Sequence, residues 1–135
     1  MQAVSVLPEV SAVEVVDPLS EALERGKGRL YEVEDRQRST AFRWLTDLRE
    51  ITADGDLCIV ATQAQGRSEL VKRVADSSGY CNFLLEKVVT QSVRDYEALL
   101  DFAEARQLSV WINCKSRTYP FHKRARERFD SSGPI

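Results

Sequence analysis

Short runs of β-branched and aromatic residues alternate along the chain with longer stretches in which apolar positions recur every three or four residues. Ala12-Val13-Glu14-Val15-Val16 predicts a strand. It ends at Asp17-Pro18, where Asp can cap and Pro can occupy the first turn of a helix running to about Glu34, with Leu19, Leu23, Leu30 and Val33 on one stripe. Arg36-Gln37-Arg38-Ser39 separates that helix from an alternating strand, Ala41 to Leu45. Thr46 to Ala53 predicts one or two helical turns, and Asp54-Gly55-Asp56 a turn. A strand from Leu57 to Ala61 follows, then a helix from about Gly66 to Ser77 with Leu70, Val71 and Val74 inward and Gly79 just past its end. Asn82 to Leu85 is a strand, and Ser92 caps a helix to Arg106 with Val93, Tyr96, Leu100 and Ala103 at helical spacing. Ser109 to Cys114 predicts the last strand, and Pro120 to Phe129 a basic helix.

Strands alternating with helices of this length imply βαβ units, hence an α/β fold with a parallel, doubly wound sheet. The 135 residues, 43% hydrophobic and 30% charged, predict one soluble domain spanning residues 1–135. A net charge of −2 disfavours nucleic acid as a partner, since that interaction draws on surplus Lys and Arg. Neither a signal peptide pattern nor a long apolar run is present, so secretion and membrane insertion are not expected. Cys58, Cys81 and Cys114 have no CxxC spacing and read as reduced thiols of a cytoplasmic protein. No metal site is expected around the lone His122, and Cys58, inside an apolar run, should be inert.

Three strand endings carry the candidate chemistry: Ala61-Thr62, Glu86-Lys87, and the segment from Asn113-Cys114 to Arg117 and Pro120. In open α/β sheets ligands bind outside the carboxyl ends of the strands, so these three loops predict one site. With Asp17 at the end of an earlier strand, their order resembles the N-terminal dinucleotide-binding domain of the Gfo/Idh/MocA oxidoreductases, the family of glucose-fructose oxidoreductase and inositol dehydrogenase. The resemblance runs from about Leu7 to the C-terminus. In that family one strand ends in Asp, another in Ala-Thr, a third in Glu-Lys-Pro, and a fourth leads to Arg-x-x-Pro; the matching residues are Asp17, Ala61-Thr62, Glu86-Lys87, and Arg117 with Pro120.

The resemblance implies a Rossmann-like fold, a nicotinamide cofactor and a sugar-like alcohol as the substrate of a complete protein. Asp17 would accept hydrogen bonds from ribose hydroxyls and repel a 2'-phosphate, favouring NAD over NADP; its plain alternative is a helix cap before Pro18. Ala61 and Thr62 would let the backbone approach the cofactor, or are simply a strand end. Lys87 is the expected catalytic residue, partly desolvated at its strand end and able to orient a substrate hydroxyl or exchange its proton, against a reading as a surface ion pair. Glu86 would set the position of Lys87 or contact the nicotinamide ribose, and Arg117 would lie near the nicotinamide end or be a solvated loop residue. Two departures stand out: Val88 where the family usually has Pro, and Arg67 where a His often follows the Ala-Thr loop.

No G-x-G-x-x-G occurs, so the strand and glycine turn that seat pyrophosphate on a helix N-terminus are not represented. In the order 3-2-1-4-5-6 that strand is central. Its loss leaves two inner edges, to be filled by Ala3-Val4-Ser5-Val6-Leu7 as a surrogate strand, by another copy of the chain, or by a new strand order. Self-association is expected on that ground. Alternatively, Met1 to Val6 matches the tail of the family's first helix, making Met1 internal to a longer protein. Two other functions compete with this one. A receiver domain needs a phosphorylatable Asp after its third strand, which is not present. A non-catalytic fragment or interaction module is the second reading for this chain alone. The basic stretch His122 to Arg128 reads as a solvated helical face, or as a contact for a substrate phosphate or an adjoining domain.

Overall fold

The computed structural model describes residues 2–35, 37, 39–53, 55–115 and 119–132, without the side chains of 129–132. All strands pair in parallel, as βαβ connectivity demands. The chain divides into two compact units, Met1–Thr52 and Ala53–Ile135.

In the first unit, strand β1 (Ala12–Val16) and strand β2 (Ala41–Leu45) match the predicted spans residue for residue and form a two-stranded sheet. The helix between them, α1, is Ser20–Tyr31, shorter than expected at both ends. Asp17 explains its late start: one carboxylate oxygen accepts from the Leu19 amide at 2.9 Å, and Leu19 stays extended, so Pro18 precedes the helix instead of entering its first turn. Leu23 and Leu30 are buried with Leu45, while Leu19 is exposed. The surrogate strand, one of the alternatives for Ala3 to Leu7, does not form. Val4–Val6 is a 3-10 turn, fixed by the buried Ser5, whose hydroxyl donates to the Gln2 carbonyl and whose own carbonyl accepts from the Gln37 amide at 2.7 Å. Likewise the helical turns expected over Thr46 to Ala53 reduce to a 3-10 turn at Leu48–Glu50, begun by Asp47. Hydrogen bonds from the Arg49 side chain and amide hold the Asp47 carboxyl down at about 2.

Glu14 and Arg43 face each other across the β1–β2 register and are joined by an ion pair. Thr52 completes the cluster, its hydroxyl and amide donating to the two Glu14 oxygens at 2.6 and 2.8 Å. Burial alone would raise the Glu14 carboxyl, but these bonds and the Arg43 guanidinium outweigh it and hold the group below the ordinary carboxylate range. A carboxyl lowered on folding stabilises above its unfolded pKa, about 4, and that contribution is lost as pH falls through the folded value. Glu14→Gln is therefore expected to cost about 1 kcal/mol at pH 7, since Arg43 is half-exposed, and progressively less below pH ~4. Urea midpoints of both proteins at pH 7 and pH 3 check this; a difference that does not shrink on acidification contradicts it.

In the second unit, β3 (Cys58–Val60), β4 (Asn82–Glu86) and β5 (Ser109–Asn113) form a three-stranded sheet in that order. Helix α2 is Arg67–Ser78, bounded by Gly66 and Gly79, both left-handed at φ 71° and 74°, a region that a Cβ disfavours. Helix α3 is Val93–Ala105, its Ser92 hydroxyl accepting from the Asp95 amide at 3.1 Å. Both crossovers run the same way along the sheet, and connections of one hand place both helices on one face; α2 and α3 pack together. Val71, Val74, Leu99 and Ala103 are buried there with Val60, Phe83 and Leu85. The buried stripe of α3 is thus Leu99 and Ala103, whereas Val93, Tyr96 and Leu100, expected on the core stripe, are exposed. Burial pushes the Cys58 thiol up to about 11, which disfavours the reactive thiolate. The last helix, α4, is Pro120–Ser132. No described helix is long and apolar enough to cross a membrane.

Among the described residues no strand precedes β1, and β1 and β3 each have a single strand neighbour, β2 and β4. The α/β fold is thus Rossmann-like with its first strand not represented, as the sequence implied.

Candidate functional site

The parallel register of β3, β4 and β5 brings their carboxyl ends to one edge. Ala61 and Thr62 follow the last residue of β3 and are exposed. Glu86 ends β4 and stands opposite Asn113, which ends β5. The Asn113 amide nitrogen donates to the Glu86 carboxylate at 2.6 Å, so Glu86 engages the neighbouring strand and not Lys87. The sequence places Asn113 at a strand ending without a role of its own; its place in the register opposite Glu86 supplies one.

Lys87 is the first residue beyond β4, and the Lys87–Val88 peptide bond is cis. The expected partial burial of Lys87 is not found. Its residue is exposed, because the chain leaves the sheet at Glu86, and its ammonium has no hydrogen-bond or ion-pair partner among the described residues. The surface ion pair weighed against a functional role is therefore absent among those residues too. Lys87 lines an open cleft of about 410 Å³ with Val88, Val89, Thr90, Tyr96, Ile112 and Cys114. That is within the range of small-molecule sites, with apolar walls and a few polar groups. Of its lining residues, Val88 is 64% exposed and Tyr96 38% exposed.

Beneath these loops lies Arg67, 2% exposed, the first residue of α2. Its guanidinium donates to the carbonyls of Glu86, Val88 and Val89 on one side and of Thr62 on the other, with the Val89 bond at 3.3 Å. Its Nε is buried without a partner. Arg67 had been noted as a departure from the family pattern and given no role.

Asp17 belongs to the first unit, at the carboxyl end of β1. Its amide donates to the Leu45 carbonyl at 3.1 Å, and its carboxylate accepts from the Leu19 amide in the turn ahead of α1; the helix cap expected at Asp17 is not found, since Leu19 is the residue that flanks the helix. Arg117 lies outside the described residues. The basic residues of α4 that are described, from His122 to Arg128, are exposed, and Phe121 packs against the His122 ring at 4.1 Å. No group of three or more His, Cys, Asp or Glu able to hold a metal occurs among the described residues.

No protein-family model and no curated protein sequence matches the chain. Solved structures do. The KijD10 3-ketoreductase from Actinomadura kijaniata, in complex with TDP-benzene and NADP, superposes with a TM-score of 0.69 at 20% identity, over 96% of this chain and 37% of that one. The WlbA dehydrogenase from Bordetella pertussis, in complex with NADH and UDP-GlcNAcA, gives 0.65 at 17% identity, over 82% and 32%. An oxidoreductase from Agrobacterium radiobacter, in complex with NAD+, L-tartaric acid and magnesium, gives 0.60 at 20% identity, over 78% and 28%. The chain spans about a third of the length of each, and at these identities it is the Rossmann-like fold that it has in common with these nicotinamide-binding oxidoreductases.

Proposed function

We propose that this chain is the cofactor-binding portion of a Gfo/Idh/MocA-type, nicotinamide-dependent oxidoreductase acting on an alcohol of a sugar or sugar derivative. The observation that carries this reading is the meeting of Ala61-Thr62, Glu86-Lys87 and Asn113-Cys114 at one carboxyl edge, with Lys87 opening into a cleft of about 410 Å³. Neighbours of the same fold bind NAD+, NADH or NADP, and two of them hold nucleotide-linked ligands.

The residues fit one end of such a cofactor. Thr62, exposed beyond the end of β3, offers a hydroxyl at the sheet edge, and Lys87 an exposed ammonium at the cleft. Asp17, as the ribose-contacting carboxylate, would select NAD over NADP by repelling a 2'-phosphate; its Leu19 bond leaves room for a second acceptor role. Arg117 would complete the nicotinamide side. The pyrophosphate has no glycine-rich turn in this sequence, so that contact must come from elsewhere in a longer protein or from a second copy. A bound nicotinamide supplies hydride transfer. Lys87 would hold the substrate hydroxyl and exchange its proton, and its exposure leaves it free to reach that oxygen. Self-association, through the edges of β1 and β3 that have no strand neighbour among the described residues, belongs to the same proposal.

Titrating the isotope-labelled chain with NADH should shift the amide resonances of Ala61, Thr62, Glu86, Lys87 and Thr90 together and saturably, leaving those of α4 in place. Shifts confined to α4, or none at all, would remove the cofactor role from this edge.

A further inference from the structure

We propose that Arg67 is a positioning residue that locks the Thr62 and Lys87 loops into one rigid platform, a role that rests on the reading of Lys87 given above. The β3–β4 ladder stops at the pair Val60 and Leu85. Thr62 and Glu86 lie beyond it, where no strand pairing joins the two connections. The Arg67 guanidinium takes over at that point, donating to Thr62 on the β3 side and to Glu86, Val88 and Val89 on the β4 side. The Glu86 and Val88 carbonyls flank Lys87 in sequence, so the backbone carrying the exposed ammonium is held on both sides of it.

A planar fork of five donors spans acceptors on two connections in a fixed geometry; an ammonium, a single point with three donors on a flexible stem, reaches fewer of the four carbonyls and holds them less rigidly. Local structure delivers the side chain to that place. Gly66, at φ 71°, turns the chain sharply into α2, and helical side chains lean toward the helix N-terminus, which here is the carboxyl edge of the sheet. Burial of the whole residue keeps water from competing for the carbonyls. The consequence is a division of labour: Lys87 faces the cleft, and Arg67 fixes where its backbone stands.

The test is Arg67→Lys in the isotope-labelled chain, with amide exchange and relaxation read residue by residue. The proposal predicts that the amides of Thr62, Lys87 and Val88 exchange about tenfold faster or broaden, as expected when one or two hydrogen bonds are lost, while Val71, Phe83 and Leu99 are unchanged. Unchanged loop amides, or loop and core changing equally, overturn it. Should the variant fail to fold, the wild type decides. Scalar couplings from the Arg67 Nη protons to the carbonyl carbons of both Thr62 and Glu86 support the lock, and rapid exchange of those protons with water contradicts it. NADH titration of the same samples separates the two readings: a wild type blind to NADH sinks the cofactor role, while the loop amides still report on Arg67.

Discussion

Phe83→Ala should cost about 3–5 kcal/mol, a large share of the stability of a domain this size. Phe83 lies in the middle strand of the second unit, opposite Cys58 on β3 and Val110 on β5, and is fully buried. Val71, Val74, Leu99 and Ala103 close the same face from the helices. Removing a ring there loses transfer free energy and leaves a void, because a middle strand held on both edges cannot shift to fill it. The urea midpoint should fall by about 2 M, given slopes of about 1–3 kcal/mol per molar for small domains. A loss under about 1 kcal/mol would mean that the sheet of the second unit is not packed as described.

Arg67→Met is the second large effect, expected at about 2 kcal/mol. Four carbonyls lose their donor. A buried acceptor left alone costs about 1–3 kcal/mol, but Thr62 and Val88 are exposed residues whose carbonyls can turn to water, and the variant is spared the cost of burying a guanidinium. Those opposing contributions set the net well below the sum. Thermal and urea unfolding of the variant measure it. A variant as stable as the wild type would show that burying the guanidinium cancels what its bonds contribute.

The strands were legible where alternation was clean. Ala12–Val16 and Ala41–Leu45 are found residue for residue, and the Ser92 cap of α3 is realised by its bond to Asp95. The absent glycine turn likewise pointed to a sheet without its first strand, and two small sheets are observed. The face of α3 was misassigned because Leu99 and Leu100 both extend an apolar stripe. Periodicity alone cannot choose between stripes one residue apart, and packing against α2 selects Leu99. The strand expected over Asn82 to Leu85 runs one residue further, to Glu86, and the exposure of Lys87 just beyond it is set by where the chain leaves the sheet, which nothing local marks.

Arg67 was the larger omission. Its burial is a tertiary property, set by carbonyls 19 to 22 residues away as well as by Thr62. One signal was available. Arginine at the first position of a helix opposes the helix dipole, and such a residue requires partners that outweigh it. Here the sheet edge supplies them.

Recognition of a nicotinamide cofactor by this chain is the central claim to test. A ligand that binds the folded state alone must raise its unfolding midpoint, by about 2.7 kcal/mol in stability at a hundred times the dissociation constant. Thermal unfolding of the chain with and without millimolar NADH should therefore show an upward shift that grows with NADH concentration. A cooperative transition with an unchanged midpoint would contradict the cofactor role and leave a folded, non-binding module.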